Sequence, residues 1–600
     1  MTPMLDLSIA ALAARYRDGS LTPMQLVETL LPRLHAEDVH RAFITRLSAD
    51  ELQLCAQALE GKDPATLPLY GIPFVVKDNI DVAGVPTTAA CPDFAYTPKA
   101  SATVVQRLID AGAIPLGKTN LDQFATGLVG TRSPYGACRN AFDPDYVSGG
   151  SSSGSAVAVA LGLASFGLGT DTAGSGRVPA AFNNLVGHKP TRGVLSGTGV
   201  VPACKSLDTI SVFALTAEDA AAVMQVATAF DAADPFSRAA EPAGFAFEPG
   251  FRFGVPREED LAFFGNVEYP ELFRETVDAL KALGGEPVVV DLSSMLDAAK
   301  LLYEGPWVAE RYAAIRDYFD THENSLHPVT RAIVGKARDW RAADAYAALY
   351  ELMRLKRIAD AAWRTVSVIV TPTAGSHYTI AELEADPVRL NSNLGHYTNF
   401  MNLLDYSATA VPAGFTSGGL PFGVTLFAPA HRDTALLELA GRLQRVRSKT
   451  MGATGLPLPA SPVPAGLLPQ SGLVTVAVCG AHMSGLPLNP QLTSRGGRML
   501  RKVCSAPCYK FYALPGGPPK RPGMVRVAEG GGPVEMEIWA LPAREFGSFV
   551  AGIPAPLGTG TVLLEDGGSV QGFVCEAIAA EGAEDITAHG SWRAFLAAAR

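Results

Sequence analysis

Two serine-bearing turns frame one apolar segment between Ser148 and Asn184. The first turn reads SGGSSSGS, the apolar segment AVAVALGLA, and the second turn GTDTAGSGR. Taken alone, the first turn has the composition of a flexible linker. A linker does not run straight into an uncharged apolar helix and then a strand, so the stretch reads as an active-site cradle. Glycine lets a backbone come close to a ligand and aim its N–H groups at it. In TAGS the consecutive N–H groups of Thr172, Ala173, Gly174 and Ser175 are placed to converge on one point, which is how a developing oxyanion is held. The methyl of Ala173 fits there only if its φ is negative. Ser152 and Ser153 are expected to cap or fill the turn, and Asp171 to hold the second turn as a carboxylate.

A lysine upstream has suitable surroundings for the same chemistry. Gly71–Asp81 reads GIPFVVKDNID, with Lys77 behind Phe74, Val75 and Val76 at the end of a strand. Burial disfavours the charged amine, and a neutral amine can take a proton from a serine. Lys118, in GKTN, is a second lysine in this half of the chain. Strands alternate with helices through about residue 230, which predicts an α/β domain around a largely mixed sheet.

These three motifs, in this order, resemble those of the amidase signature family. The resemblance implies Ser175 as nucleophile, Ser151 as a bridging serine after a cis peptide, and Lys77 as the end of the relay. It places Lys118 on a structural strand and implies that no metal or organic cofactor takes part. VPAGF at Val411–Phe415 matches the family's closing motif.

From Leu301 the segment LLYEGPWVAERYAAIRDYF reads as one helix, with Tyr303 and Arg311 two turns apart along one face. By itself that is an amphipathic packing helix. The run also resembles allophanate hydrolases, and the likeness implies that Tyr303 and Arg311 bind the substrate's amide and carboxylate. An arginine fork suits a carboxylate. Arg177, just after the nucleophile position, is read as a substrate contact or a structural ion pair.

Composition narrows the class further. Six hundred residues exceed one ordinary core, so two or more domains are expected. Apolar residues make up 48% and charged ones 18%, with a net charge of −10, which fits a globular protein and offers nucleic acid no basic surface. Residues 8–62 read as helices with a break at Gly19–Pro23; the first is amphipathic with internal Asp and Arg, not a secretory signal, and no apolar run is long enough to span a membrane. The eight cysteines are scattered and complete no zinc pattern, so free thiols and a cytoplasmic location are expected.

Residues 452–471 are crowded with Pro and Gly and read as a linker between an amidase domain over 1–451 and a second domain over 472–600. The second domain alternates like short strands and resembles the small, mainly β, γ-glutamylcyclotransferase-like C-terminal domain of allophanate hydrolases. His482 sits there in a Gly-rich turn after a strand. The likeness implies a part for it in decarboxylation, with Asn489, Arg495 and Tyr509 as further pocket candidates. The subgroup implies a homodimer acting on allophanate supplied by a urea carboxylase or by triazine breakdown. The rival readings are a general small-substrate amidase, the amidase component of a glutamine-dependent tRNA amidotransferase, and a second domain that only docks or dimerises.

Overall fold

The computed structural model describes residues 4–240, 247, 250–460, 473–565 and 567–598. They form two compact units, divided between residues 460 and 473.

The first unit is built on one eleven-stranded sheet. Its strands are β1 (Phe43–Arg46), β2 (Pro73–Lys77), β3 (Ile114–Thr119), β4 (Phe166–Asp171), β5 (Val186–Lys189), β6 (Thr209–Ala214), β7 (Arg252–Pro256), β8 (Glu286–Val290), β9 (Val368–Pro372), β10 (Tyr406–Phe415) and β11 (Pro421–Pro429). Their order across the sheet is β1-β3-β2-β4-β6-β5-β10-β11-β9-β7-β8. β2 runs parallel to β3 and β4, and β7 parallel to β8 and β9. The other neighbours are antiparallel, so the sheet is mixed as the alternating pattern predicts.

β2 to β6 are buried residue by residue, and their sequences are accordingly near-continuous apolar runs. Phe74 of β2 stacks on Phe166 of β4, with ring centroids 5.1 Å apart. The helix Ser153–Ala160 is buried on every side. Its small side chains allow that: a Cβ on Gly154 would meet the Ala42 carbonyl oxygen at 2.1 Å.

The start of the chain is less uniform than its pattern. The break at Gly19–Pro23 is real, and Thr22 and Gln25 close a capping box on the helix Pro23–Leu34. Within the stretch expected to be helical, however, Phe43–Arg46 forms β1 at the sheet edge. Four residues are too few to show a period.

The Pro/Gly-rich stretch begins inside the first unit. Asn184 Nδ2 donates to the carbonyls of Thr450 (3.1 Å) and Gly452 (2.9 Å), and Ala453 N–H donates to Ala160 O at 2.8 Å. Met451 is buried, and Leu456 and Leu458 pack against the main core. Residues 461–471 of the expected linker lie outside the described residues.

The second unit has its own core around Val476, Phe511, Trp539, Phe573 and Trp592. β12 (Leu473–Val478), β13 (Arg498–Cys504), β16 (Glu535–Pro542), β17 (Leu557–Leu563) and β18 (Ser569–Cys575) form a sheet in the order β13-β16-β12-β18-β17. β14 (Tyr509–Leu514), β15 (Arg521–Arg526) and β19 (Glu584–Asp585) form another, ordered β15-β14-β19. The unit is small and mainly β, as expected. β13 escaped the sequence pattern because Arg498, Arg501 and Lys502 break its alternation, as charges commonly do on an edge strand. All eight cysteines are free thiols. Among the described residues no helix is long and apolar enough to cross a membrane.

Candidate active site

The site lies at the C-terminal ends of β2 and β4, which are neighbours in the sheet. Lys77 closes β2, and its Nζ lies 2.8 Å from Ser151 Oγ and 2.7 Å from Thr170 Oγ1. All three side chains are buried. Burial pulls the Lys77 amine down to about 7, opposed by the charges of Asp122, Asp208 and Asp171. The lysine therefore has ready access to its neutral form near neutrality.

The Gly150–Ser151 peptide is cis. Gly150 is pressed against the loop that follows β3: a Cβ there would lie 2.2 Å from Asp122 Oδ2 and 2.6 Å from Gly130 N. Asp122 organises that loop. Its carboxylate accepts the N–H groups of Val129, Gly130 and Arg132, each at 3.0 Å, and its own N–H donates to Ser151 O at 3.1 Å. Phe124 and Ala125, in the same loop, both hold positive φ, at 49° and 52°. Two successive left-handed non-glycine residues are a costly conformation that tends to persist where function requires it.

Ser152 ties the two turns together. Its Oγ donates to Thr170 O at 3.1 Å and accepts the Thr170 N–H at 3.2 Å. Thr170 is the last residue but one of β4, so the serine turn is fixed to the strand that leads into Ser175. Ser175 is buried, and its hydroxyl makes no hydrogen bond among the described residues.

Asp171 holds the Ser175 turn. Its carboxylate accepts the N–H of Gly174 (2.9 Å) and of Gly176 (3.0 Å) and a fork from Arg177 Nε and Nη2, both at 2.9 Å. Burial opposes its charge, yet the Arg177 guanidinium holds its carboxyl below the ordinary carboxylate range. Two sequence expectations change here. The Gly174 N–H is already spent on Asp171, so it is not an oxyanion donor. Among the described residues the N–H groups of Thr172, Ala173 and Ser175 are unpartnered and remain available. Ala173 is not among the positive-φ residues; the φ of 134° falls on Gly174, where a Cβ would strike Thr398 Oγ1 at 2.4 Å.

Arg177 is the second correction: it does not face a substrate. It is fully buried, and beyond Asp171 it reaches Thr398 O at 3.2 Å, Asn402 Oδ1 at 3.4 Å and Met401 Sδ at 2.8 Å. Each guanidinium nitrogen is already engaged. The ion pair is structural.

Tyr303 and Arg311 do not share a helix. One helix ends at Glu304 and the next begins at Val308, across Gly305 and Pro306. The break still brings them together: Arg311 Nη2 donates to Tyr303 Oη at 3.2 Å. Arg311 Nη1 donates to Thr126 Oγ1 (3.1 Å) and Ala125 O (3.3 Å), in the Asp122 loop. Arg311 Nε is buried and has no partner among the described residues. A single loop thus contacts Ser151 through Asp122 and Arg311 through Thr126.

His482 lies in the second unit, in a turn after β12. It lines a cavity of about 280 Å³. Its ring stacks on Phe573 at 5.2 Å, meets Phe549 edge-on at 5.3 Å, and its Nε2 is 3.1 Å from Gln491 Oε1. Burial lowers its pKa from the ordinary histidine value, with the charges of Arg521 and Arg495 in support. Asn489, Arg495 and Tyr509 do not line this cavity. Asn489 Nδ2 holds the His482 carbonyl, Arg495 points to Ser548, and Tyr509 is wholly buried, accepting the Leu563 N–H.

With this geometry, likeness to known proteins becomes specific. Residues 25–437 match the amidase family. The chain belongs to that family. Residues 474–597 of this amidase match the allophanate hydrolase C-terminal domain. The urea amidolyase of Saccharomyces cerevisiae is 42% identical over 599 residues, covering 96% of this chain and 32% of that protein. The chain thus spans about a third of that curated relative. The solved structure of selenomethionine-substituted Kluyveromyces lactis allophanate hydrolase is 41% identical, with a TM-score of 0.87, and the match covers 99% of this chain and 100% of that one. The solved structure of a peptide amidase from Stenotrophomonas maltophilia is 28% identical, with a TM-score of 0.63, covering 75% of this chain and 98% of that one.

The amidase site also contains residues that the sequence reading passed over. Asp122 and Thr126 lie in LDQFATG, a polar insertion between a strand and a long loop, whose pattern carries no periodic signal. Thr170 is a strand residue whose hydroxyl only the fold sets beside Lys77. Asp208 accepts the Thr172 hydroxyl and the N–H groups of Ala203 (2.7 Å) and Cys204 (3.2 Å), and burial raises its pKa. A cavity of about 600 Å³ adjoins it, reaching Thr170 and lined also by Val200, Pro202 and Ile210.

Proposed function

We propose that this amidase hydrolyses allophanate, with Ser175, Ser151 and Lys77 as its relay. Ser175 Oγ attacks the terminal amide carbonyl. Ser151 passes the proton to neutral Lys77 and returns it to the departing ammonia. The oxyanion is held by the free N–H groups of Thr172, Ala173 and Ser175; losing one such donor costs about 3 kcal/mol in comparable sites. Water then cleaves the acyl-enzyme and leaves N-carboxycarbamate, a dicarboxylated amine.

The observation that carries the choice of substrate is the Arg311–Tyr303 pair. A buried guanidinium with an unpartnered Nε is costly unless a ligand completes it. A carboxylate on a small amide accepts that N–H and also balances the buried charge; a neutral amide oxygen accepts the N–H without balancing the charge. The likeness of the whole chain to Kluyveromyces lactis allophanate hydrolase supports the same substrate. The second unit supports it over a part in tRNA amidotransfer, and His482 in its cavity supports decarboxylation of the dicarboxylate there. The test is ammonia release from allophanate beside malonamide, glutamine and benzamide. Strong preference for allophanate is expected; equal or better turnover of glutamine or benzamide overturns the reading.

A homodimer fits the helix Ala342–Ala359, which leaves Tyr346, Tyr350 and Met353 at least half exposed on one face. Light scattering should give twice 62.9 kDa, and half that for Tyr350→Glu.

A further inference from the structure

The cavity of about 600 Å³ beside Asp208 stands apart from Ser175, Tyr303 and Arg311, none of which lines it. Three cationic side chains do line it: Arg192, Lys205 and Arg238. Their partners are too few. Asp405 alone answers both arginines, accepting Arg192 Nε at 3.2 Å and Arg238 Nη1 at 2.7 Å. Arg238 Nε and Nη2 are buried and have no acceptor among the described residues. Lys205 is exposed and makes no hydrogen bond or ion pair among the described residues. The cavity's own carboxylates are engaged elsewhere. Asp234 accepts the N–H groups of Gly197 (2.7 Å) and Phe236 (2.9 Å), and Asp208 accepts the Thr172 hydroxyl and two N–H groups of its own loop. A buried, unpaired guanidinium edge is costly unless an acceptor reaches it, and its fork suits carboxylate or phosphate oxygens.

One wall of this cavity is also a bracket on the amidase site. Ser206 donates to both oxygens of Glu310, from its N–H at 2.7 Å and its Oγ at 2.8 Å. Glu310 directly precedes Arg311 on the helix Val308–His322. Asp208 holds Thr172, in the turn that leads to Ser175. Arg192 Nη1 donates to Ser206 O at 3.0 Å, so a cation of the cavity is bonded to the residue that holds the Arg311 helix. We propose that this cavity is an effector site for a small polyanion bearing carboxylate or phosphate groups. Arg238, Arg192 and Lys205 hold it. An anion that bridges both arginines favours the arrangement in which Arg192 holds Ser206 and Ser206 holds Glu310. Its occupation therefore fixes Arg311 for the substrate. The coupling rests on the reading that Arg311 takes the substrate's carboxylate; the anion site itself does not.

The test uses the full chain, with pyrophosphate and citrate as probes. Calorimetry without substrate should show binding to the parent protein, about tenfold or more weaker in Arg238→Gln. Lys205→Gln, an exposed change that leaves the fold alone, should weaken it as well. Binding of either probe supports the site, and the tighter of the two identifies the head group. No binding of either, or equal binding in all three proteins, overturns the site. In turnover, the bound probe should lower KM for allophanate by about fivefold and leave an uncharged amide nearly unaffected. Ser206→Ala should still bind the probe and lose most of that effect. A KM for allophanate that is unchanged by the probe, or that rises as in competition at Arg311, overturns the coupling. If the probe binds and the parent does not turn over allophanate, the substrate reading falls and the anion site stands.

Discussion

Lys77 Nζ and Ser151 Oγ are 2.8 Å apart, and neither side chain is reached by solvent. The pH dependence of turnover follows from that contact. The relay needs the lysine neutral, and burial brings its pKa to about 7. Below that value the amine is protonated and cannot accept; above it the amine is free. kcat/KM should therefore rise with pH through about 7. Lys77→Arg, charged at every accessible pH, should be inactive throughout. A flat profile between pH 6 and 9 would remove Lys77 from the relay.

The same burial carries a cost in stability. In the unfolded chain the amine titrates near 10.5, in the folded chain near 7. Between those values the unfolded state binds the extra proton, so the lysine's contribution to stability rises with pH across that window and is worst below 7. Lys77→Met should raise stability at pH 7 by about 1–3 kcal/mol, less than full relief because Ser151 and Thr170 lose a donor. The gain should shrink towards pH 10. Melting curves of the two proteins at pH 7 and pH 10 measure it.

Ser175→Ala should abolish amide hydrolysis, and Ser151→Ala should lower it by about 10³-fold or more, both in folded protein. A fluorophosphonate should label Ser175. Labelling mapped to another serine, or near-parent turnover of Ser175→Ala, contradicts the assignment.

Much of this was legible in the chain because it is local. The glycines at 149, 150 and 174, the serines, and Lys77 behind three apolar residues declare a cradle and a buried amine before any fold is known. What was not legible is made by long-range contact. Asp122 acts on Ser151, Thr170 on Lys77 and Thr126 on Arg311, and no spacing announces these pairings. Arg177 was ambiguous for the same reason: only the fold shows Asp171, Thr398 and Asn402 consuming its donors. Gly305–Pro306 broke a helix that periodicity alone ran through, and yet that break is what turns Arg311 onto Tyr303.

Arg311 and Arg177 should separate cleanly by substrate. Arg311→Leu removes a fork offered to the substrate's carboxylate, so allophanate should lose about 2–4 kcal/mol in kcat/KM and an uncharged amide far less. Arg177→Leu leaves Asp171 buried without its partner. That should cost about 3–5 kcal/mol of stability and lower turnover of both substrates alike. Equal losses on both substrates for Arg311→Leu would make it structural too.

The end of the first unit can be located by truncation. Residues 450–453 are bonded to Asn184 and to Ala160, the last residue of the helix that follows Ser151. A Cβ on Gly452, whose φ is 51°, would lie 2.7 Å from Ala160 O, so the strap is seated directly on the helix end. A chain ending at residue 460 keeps those bonds together with Leu456 and Leu458 and should retain amide hydrolysis. A chain ending at residue 447 strips the Asn184 amide of both acceptors and uncovers core around Met451. It should melt lower and lose activity, because the helix that positions Ser151 is no longer held at its far end. Ammonia release and melting temperature of the two truncated chains decide it. If both lose activity equally, the first unit depends on residues beyond 460. If both keep it equally, the strap is dispensable and the unit ends before it.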